Sequence, residues 1–224
     1  MTATIKLAVF DCDGTLVDSQ HSINACMREA FSAVGREAPP LEQVRRVVGL
    51  TLAQAITVLV DDEDAPVAEI AAAYSDAWTG MRVDSSLEEP LFEGMIDVLE
   101  KLQAAGWLLG VATGKSMRGL RSTLERHALD EFFHTLQTAD RARGKPDPEM
   151  LHFAMQETGA DAVDTVMIGD TTFDMEMARA AGVRAIGVSW GYHQPDDLRH
   201  AGASVVVDTM ADLGRALHFA EETA

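Results

Sequence analysis

The sequence predicts an α/β protein with a doubly wound, mostly parallel, Rossmann-like sheet core and an inserted α-helical cap domain. First, short apolar runs alternate with helix-length segments from residue 86 onward, a pattern typical of a parallel sheet with helices on both faces. Second, another short apolar run stands alone at residues 7–10. Third, residues 18–85 show helical periodicity and no segment with the alternating pattern of a strand.

These observations predict two domains. Residues 1–17 and 86–224 form the sheet core, and residues 18–85 form the helical cap, inserted directly after the first strand. Ligands of open α/β sheets bind beyond the carboxyl ends of the strands. Because the insert follows the carboxyl end of the first strand, we expect it to lie over that edge as a lid.

The helices of the insert are predicted from their caps and breaks. Asp18 or Ser19 caps the first helix, whose apolar residues recur every three or four positions until Gly35. The four predicted helices are 19–34, 41–48, 52–60 and 65–78. The breaks that separate or end them are Pro39 with Pro40, Gly49, the acidic run 61–64, and Gly80.

The core resumes after the insert with strands and helices in alternation. Its predicted strands are the apolar runs 108–112, 133–138, 165–168, 184–188 and 204–207. Its predicted helices are the amphipathic segments 94–105, 117–127, 148–158, 173–181 and 213–220. Such an order predicts a mostly parallel, doubly wound sheet with helices on both faces.

Composition indicates which partners the protein is not expected to bind and in which cellular compartment we expect it. The 224-residue chain has a formal net charge of −18, which would repel nucleic acid and anionic membranes, so we expect neither as a partner. Two cysteines, Cys12 and Cys26, do not make a disulfide framework, and no leader or membrane-length apolar run is visible. We therefore expect a cytoplasmic protein, with Cys12 as a core residue. Its assembly state is expected to be a monomer or a homodimer, between which the sequence does not discriminate.

The first strand ends in two acids that predict a ligand site. Asp11 and Asp13 are one residue apart, so in an extended segment their side chains point to the same side. Two neighbouring carboxylates repel each other, and a hard cation would relieve that repulsion. Gly14 allows a sharp turn and the close approach of a ligand. A simple Asp-Gly turn is the alternative interpretation.

Three further stretches are expected at the same edge of the sheet. Thr113 and Gly114 end the second strand and combine a hydroxyl with the amides of a helix start, which suits an anion but equally suits a helix cap. Lys145 precedes a proline-rich turn and can neutralise an anion. Asp170 ends another strand, and Asp174 follows one helical turn later; as a cap and a first-turn acid, both also suit the helix itself. Four acids, a hydroxyl and a lysine together predict phosphoryl transfer.

In this order, these motifs resemble the haloacid dehalogenase-like (HAD) hydrolase superfamily over nearly the whole chain. The motifs are Asp11-Cys12-Asp13-Gly14-Thr15, Thr113-Gly114, Lys145-Pro146, and Gly169-Asp170 with Asp174. The insert is similar to the small helical cap of the branch that contains phosphoglycolate phosphatase and β-phosphoglucomutase.

The resemblance implies a role for each motif residue. Asp11 attacks phosphorus and becomes an aspartyl-phosphate, while Asp13 protonates the leaving oxygen and then activates water. Mg²⁺ is held by Asp11, the backbone carbonyl of Asp13, and Asp170, with Asp174 direct or through water. The transferring phosphoryl group is held by Thr113, Gly114 and Lys145. The implied protein is a magnesium-dependent phosphatase of small phosphorylated metabolites, with phosphoglycolate as the nearest named substrate.

Other activities are weighed by single residues. A dehalogenase has no need of the second acid, Asp13, and a phosphonatase needs a cap lysine, whereas the chain has no lysine between Lys6 and Lys101. A sugar phosphomutase of the β-phosphoglucomutase type stays an alternative, although its cap loop corresponds here to the mostly apolar stretch 47–52. A phospho-acceptor signalling domain is the non-enzymatic alternative; a helical cap has no use there.

Some residues near these motifs have no assigned role. Arg45 and Arg46 precede the apolar cap stretch, and a solvated helix face accounts for them equally well. Trp190, Tyr192 and His193 follow a predicted strand, where they either line the rim of the site or cover the edge of the sheet.

Overall fold

The computed structural model describes residues 4–62 and 64–217. One parallel six-stranded sheet runs through it in the order β3-β2-β1-β4-β5-β6, with helices on both faces. The predicted fold class is confirmed. The strands are β1 (Leu7–Phe10), β2 (Leu108–Thr113), β3 (Thr135–Thr138), β4 (Thr165–Gly169), β5 (Arg184–Val188) and β6 (Val205–Val207).

Ten α-helices lie within the described residues. Four of them, α1 (Gln20–Ala33), α2 (Leu41–Val47), α3 (Leu52–Val60) and α4 (Val67–Val83), fall between β1 and β2 in sequence. The others are α5 (Met95–Ala104), α6 (Met117–Arg126), α7 (Glu149–Thr158), α8 (Thr172–Ala180), α9 (Pro195–Ala201) and α10 (Met210–Ala216). A 3₁₀ turn, Ala162–Asp164, precedes β4.

The central strand β1 is fully buried because helices cover both faces of the sheet. Ala8 and Phe10 contribute to one apolar cluster, whereas Leu7 and Val9 contribute to the cluster on the opposite face. Side chains of a strand alternate between faces, which explains why a continuous apolar run is needed here. Cys12 is buried in the first cluster, as predicted, and its burial raises the pKa of the thiol.

Helices α1–α4 have an apolar cluster of their own. Its buried members come from all four helices: Ile23, Met27, Ala30, Phe31, Val44, Ile56 and Ile70. Two connections join these helices to the sheet and run side by side. Asp18 N donates to Pro90 O at 2.8 Å, and Phe92 N donates to Leu16 O at 3.1 Å.

The ends of two predicted elements were wrong. The helix predicted over 65–78 is α4, which begins at Val67 because a residue before proline, here Ala65, avoids helical geometry. The same helix continues through Gly80 to Val83, since glycine weakens a helix without forbidding it. The strand predicted over 133–138 begins at Thr135; Phe133 instead packs edge-on against Phe10, with ring centroids 6.5 Å apart.

The C-terminal part of the sheet domain also differs from the prediction. Helix α9 was not predicted; it is short and polar, with Leu198 and Ala201 as its buried residues. The closing helix, predicted over 213–220, begins earlier, at Met210, because Thr209 caps it by accepting a hydrogen bond from Asp212 N at 3.1 Å. Residues 218–220 of that prediction lie outside the described residues. Among the helices of the described ranges, none combines the length and apolar character that a membrane crossing demands.

Candidate active site

The sheet brings the predicted residues to one edge. Asp11 follows β1 directly, Thr113 ends β2, and Asp170 follows β4. Strands β1, β2 and β4 are adjacent and in register, with Phe10 opposite both Val111 and Ile168. Their carboxyl ends therefore coincide, and the backbone N–H of Asp11 donates to Ile168 O at 2.9 Å.

Three buried carboxylates meet at this edge around one lysine. Asp11, Asp170 and Asp174 each have a carboxylate oxygen within 4.8 Å of those of the other two. Lys145 is fully buried, and its Nζ lies 2.8 Å from Asp11 Oδ1 and 2.6 Å from Asp174 Oδ1. The ion pairs stabilise the lysine charge inside the protein, because a buried charge needs a close partner.

Neighbouring donors hold two of these acids in place. Asp170 Oδ1 accepts from the Thr15 hydroxyl at 2.7 Å, and its Oδ2 accepts from Tyr192 N at 2.9 Å. Asp174 Oδ2 accepts from the backbone N–H of Thr171 at 3.1 Å and from its hydroxyl at 2.7 Å. Asp174 thus closes the capping box of α8 and also contributes its other oxygen to the carboxylate group.

Gly14 allows this arrangement sterically. Its φ is +84°, a backbone angle that residues other than glycine rarely adopt. A Cβ atom at this position would also overlap the carboxylate of Asp170. The sequence predicts a sharp turn and the close approach of a ligand at Gly14. The positive φ fits the turn, and the group that lies against Gly14 in the structure is the Asp170 carboxylate.

The protonation equilibria reflect the crowding of negative charge. Burial raises the pKa of Asp11 well above its ordinary value, and burial together with Asp174 raises the pKa of Asp170 to about 7. Burial alone would lower the pKa of Lys145, but Asp11 and Asp174 outweigh it and raise that pKa. Three carboxylates lie around one buried ammonium group, so an additional positive charge would stabilise their ionised forms.

A divalent cation fits this carboxylate group. Asp11 Oδ2 is buried and has no hydrogen-bond partner among residues 4–62 and 64–217. A buried oxygen without a partner is costly in free energy, and a metal ion would supply the missing contact. Carboxylate oxygens are also the ligands that hard divalent cations prefer.

Asp13 has different neighbours from those of Asp11. Its Oδ1 lies 3.0 Å from Lys115 Nζ and accepts a hydrogen bond from the Ser19 hydroxyl. Both acids line one cavity, but the side chain of Asp13 does not belong to the group formed by Asp11, Asp170 and Asp174. The two carboxylates are therefore equipped for different tasks at the same cavity.

The cavity lies between the sheet edge and helices α1–α4. Its volume is about 480 Å³, and Asp11, Asp13, Thr113 and Gly114 line it on the sheet side. Thr113 Oγ1 accepts from Lys115 N at 3.2 Å. A Cβ atom on Gly114 would overlap the carbonyl oxygen of Leu50, so glycine lets the α2–α3 connection pack directly on this loop.

Comparison with known proteins identifies the family. The family model described as haloacid dehalogenase-like hydrolase matches residues 8–188, most of the chain. The chain belongs to the haloacid dehalogenase-like hydrolase family. It is accordingly a hydrolase, and the resemblance drawn from the motifs is confirmed.

Curated relatives and solved structures of this family cover nearly the whole chain. A Dickeya dadantii (strain 3937) protein named Probable phosphatase IndB is 36% identical over 95% of this chain and 93% of its own length. Phosphoglycolate phosphatase 1 of Pseudomonas aeruginosa is 28% identical over 93% of this chain and 78% of its own length. A haloacid dehalogenase-like hydrolase of Bacteroides fragilis superposes with a TM-score of 0.85 at 26% identity, covering 94% of this chain and 100% of that one.

Lys115 and Glu89 were not among the site residues predicted for this HAD hydrolase. Lys115 Nζ lies 2.9 Å from Glu89 Oε1 and 4.5 Å from the centroid of the Trp78 ring. Burial alone would lower the pKa of Lys115, but Asp13 and Glu89 outweigh it and raise that pKa. Lys115 gave a sequence signal, as one of four lysines and one of the two that follow a glycine. Glu89 gave none.

The aromatic residues and the histidine after β5 form hydrogen bonds with Asp170 and with the chain segments beside it. Tyr192 donates its backbone N–H to Asp170, Trp190 Nε1 donates to Thr15 O at 3.3 Å, and His193 Nδ1 accepts from Thr172 N at 3.1 Å. Burial lowers the pKa of His193. These residues do not appear among the described residues that line the cavity.

The two arginines of α2 take different positions. The Arg45 guanidinium lies 5.9 Å from the centroid of the Tyr192 ring, between the helical segment and the sheet domain. Arg46 is exposed, with its guanidinium 3.7 Å from Glu42. The solvated-face interpretation therefore suits Arg46 and not Arg45.

Proposed function

We propose that this HAD hydrolase is a magnesium-dependent phosphatase that hydrolyses small phosphate monoesters through an aspartyl-phosphate on Asp11. The observation that carries the proposal is the state of the Asp11 carboxylate. One oxygen is paired with Lys145, and the other is buried without a hydrogen-bond partner in the described part of the chain; the residue itself lines the cavity. A carboxylate held in this way is oriented for nucleophilic attack.

The reaction proceeds in two displacements. In the first, a carboxylate oxygen of Asp11 forms a bond to phosphorus, the ester bond breaks, and Asp13 gives its proton to the departing alcohol. In the second, Asp13 takes a proton from water, the water oxygen bonds to phosphorus, and Asp11 is released as inorganic phosphate forms. Asp13 suits both steps because its carboxylate reaches the cavity outside the Asp11 group.

The remaining site residues bind charge. Thr113, Gly114 and Lys145 would hold the transferring phosphoryl group, since a hydroxyl, backbone amides and a buried ammonium group all stabilise anionic oxygens. Asp11, the Asp13 carbonyl and Asp170 would hold Mg²⁺, with Asp174 direct or through water. When bound, such an ion neutralises phosphate oxygens and reduces their repulsion by the carboxylates.

Residues 18–85 are proposed as the cap. Their helices form one side of the cavity, so that closing them over the sheet edge would exclude bulk water from the reaction, and opening them would release product. The family relatives named as phosphatases support the reaction class. The cytoplasmic location remains a prediction.

The first test is phosphate release from a panel of small phosphate esters with and without Mg²⁺. We expect the wild type to turn over some esters only with the ion, and Asp11→Asn to lose at least about 10³-fold in kcat, as expected for removal of a nucleophile. Asp130→Asn is the matched control, because Asp130 is an exposed acid of the same kind. It should keep wild-type activity.

Three other results would contradict the proposal. Phosphate release by Asp11→Asn at the wild-type rate would remove the nucleophile from the mechanism. Transfer of phosphate from one position of a sugar to another, without release to water, would favour the phosphomutase alternative. A stable phosphorylated Asp11 without turnover of any ester would favour the phospho-acceptor alternative.

A further inference from the structure

The cavity above the candidate nucleophile is large for a short substrate. At about 480 Å³ it falls within the range of about 300–1,000 Å³ that is typical of pockets for drug-sized ligands. The alcohol portion of phosphoglycolate has only two carbon atoms. It would leave most of this volume to water.

The wall of the cavity opposite the acids is apolar. We call it the apolar wall; its half-buried members, from the α2–α3 connection and from α3 and α4, are Val48, Leu50, Leu52, Tyr74 and Trp78. The buried side chains of Ile23, Met27, Val44 and Val47 line the cavity behind them. Such a wall gains free energy by covering apolar ligand surface. Among its five side chains, the Tyr74 hydroxyl and the Trp78 indole N–H are the groups that could hydrogen-bond to a carboxylate or a polyol.

The cations around the cavity are not arranged for a second anion near the acids. Lys115 is already paired with both Asp13 and Glu89. Arg82 and Arg118 also line the cavity and form no ion pair in the described part of the chain, but Arg118 is exposed and Arg82 is half-buried. Their charges can remain hydrated without a ligand.

We propose that the substrate of this site is a phosphate monoester whose alcohol portion is bulky and presents an apolar, ring-bearing face to the apolar wall. This inference rests on the proposed phosphatase function and narrows its substrate class. The phosphate would lie at the sheet edge, near Asp11 and Lys145. The ring would lie against the half-buried side chains of the cap.

The test compares primary alkyl phosphates whose leaving groups have similar reactivity: 2-phenylethyl phosphate, ethyl phosphate and phosphoglycolate. Hydrophobic pockets discriminate by about 10-fold or more for each added group that they fill. We therefore expect kcat/KM for 2-phenylethyl phosphate to exceed that for each of the other two esters by at least about 10-fold.

Two matched leucine variants test whether the preference for 2-phenylethyl phosphate arises at the apolar wall. Leu50→Asn places an amide in the apolar wall and should reduce the advantage of 2-phenylethyl over ethyl phosphate by about 10-fold. Leu41→Asn makes the same change at a 40% exposed leucine of α2 outside the lining residues, and the advantage should stay unchanged. If Leu50→Asn fails to fold, Val48→Thr changes the polarity of the wall while keeping its shape.

The outcomes separate this inference from the proposed function. Efficient cleavage of phosphoglycolate, with no gain for the phenylethyl ester, overturns the apolar-substrate inference and leaves the phosphatase intact. The same loss in both leucine variants also overturns it, because the effect would not come from the cavity. Failure of the wild type to cleave these three esters, or any ester of the wider panel, with Mg²⁺ present overturns both.

Discussion

Lys145 balances the charge of the candidate site. Its ammonium group is in contact with Asp11 and Asp174 and is completely buried. Removing one partner of a buried ion pair leaves an uncompensated charge, which typically costs about 3–5 kcal/mol of stability. The variant that removes this charge therefore tests the electrostatics of the site independently of catalysis.

We expect Lys145→Met to destabilise the metal-free protein, more strongly at pH 8 than at pH 5. Lys145 lowers the pKa values of Asp11 and Asp170, so both would rise further in the variant. The folded variant would then retain protons that the unfolded chain releases above pH 4, and raising the pH would favour unfolding. Urea unfolding in the presence of EDTA should show a loss of about 3–5 kcal/mol at pH 8.

Lys101→Met serves as the control for this experiment, because Lys101 is an exposed lysine on α5. It should change the free energy of unfolding by less than about 0.5 kcal/mol at either pH. A loss for Lys145→Met that is the same at pH 5 and pH 8 would show that carboxylate protonation is not coupled to this lysine.

The candidate site residues that the sequence predicts share a property. Asp11, Asp170 and Lys145 stand at strand ends or beside turn residues, where a charged side chain next to an apolar run is conspicuous. Ser19 and Glu89 contact Asp13 and Lys115 from other segments of the chain, and nothing in their local sequence marks those contacts. Tertiary contacts between distant segments leave no periodic pattern for a single sequence to show.

At the scale of elements, the type of each segment was more predictable than its ends. Apolar runs located the strands because both faces of the sheet are buried. The extension of α4 through Gly80 was missed, since a glycine stops a helix only when the surrounding structure requires the chain to turn. Two glycines therefore provide a direct comparison.

We expect Gly80→Ala to stabilise the protein and Gly182→Ala to destabilise it. A Cβ atom added at either position would meet no neighbouring atom within 4 Å, so steric overlap plays no part. Gly80 lies inside α4, where alanine is favoured by about 0.5–1 kcal/mol. Gly182 has a φ of +68°, where an added Cβ costs about 1–2 kcal/mol.

Urea unfolding of both variants measures the difference. A stabilised Gly182→Ala would contradict the left-handed backbone conformation at that residue. A destabilised Gly80→Ala would show that α4 ends before Gly80, as the sequence had predicted. Because both changes add the same methyl group, the comparison isolates backbone conformation from side-chain burial.

At the scale of the whole molecule, two groups of apolar contacts stand on either side of the cavity. The sheet has clusters on both faces, and α1–α4 share a separate cluster. Two antiparallel chain passages connect them. The two-domain division was predicted from periodicity alone, but a sequence carries no information about whether two such units open independently.

Hydrogen exchange with and without Mg²⁺ tests that independence. An ion held by Asp11, Asp170 and Asp174 binds only the folded sheet edge, since these residues lie beside β1 and β4. At about 100 times its dissociation constant, such a ligand slows exchange through opening of its own unit by about 100-fold. Amides of Val9 and Met167 in the sheet should slow by that factor.

Amides of Ile56 and Ile70, in α3 and α4, should slow by less than about 3-fold if the helical unit opens without disturbing the metal ligands. Asp170→Asn weakens the ion site, so in this variant Mg²⁺ should no longer slow the exchange of the sheet amides. Equal slowing in both units would mean that they unfold as one, because ligand stabilisation then reaches every amide that depends on global opening. In that case the cap would have no stability of its own, and its motion over the cavity would have to arise from bending of the two connections.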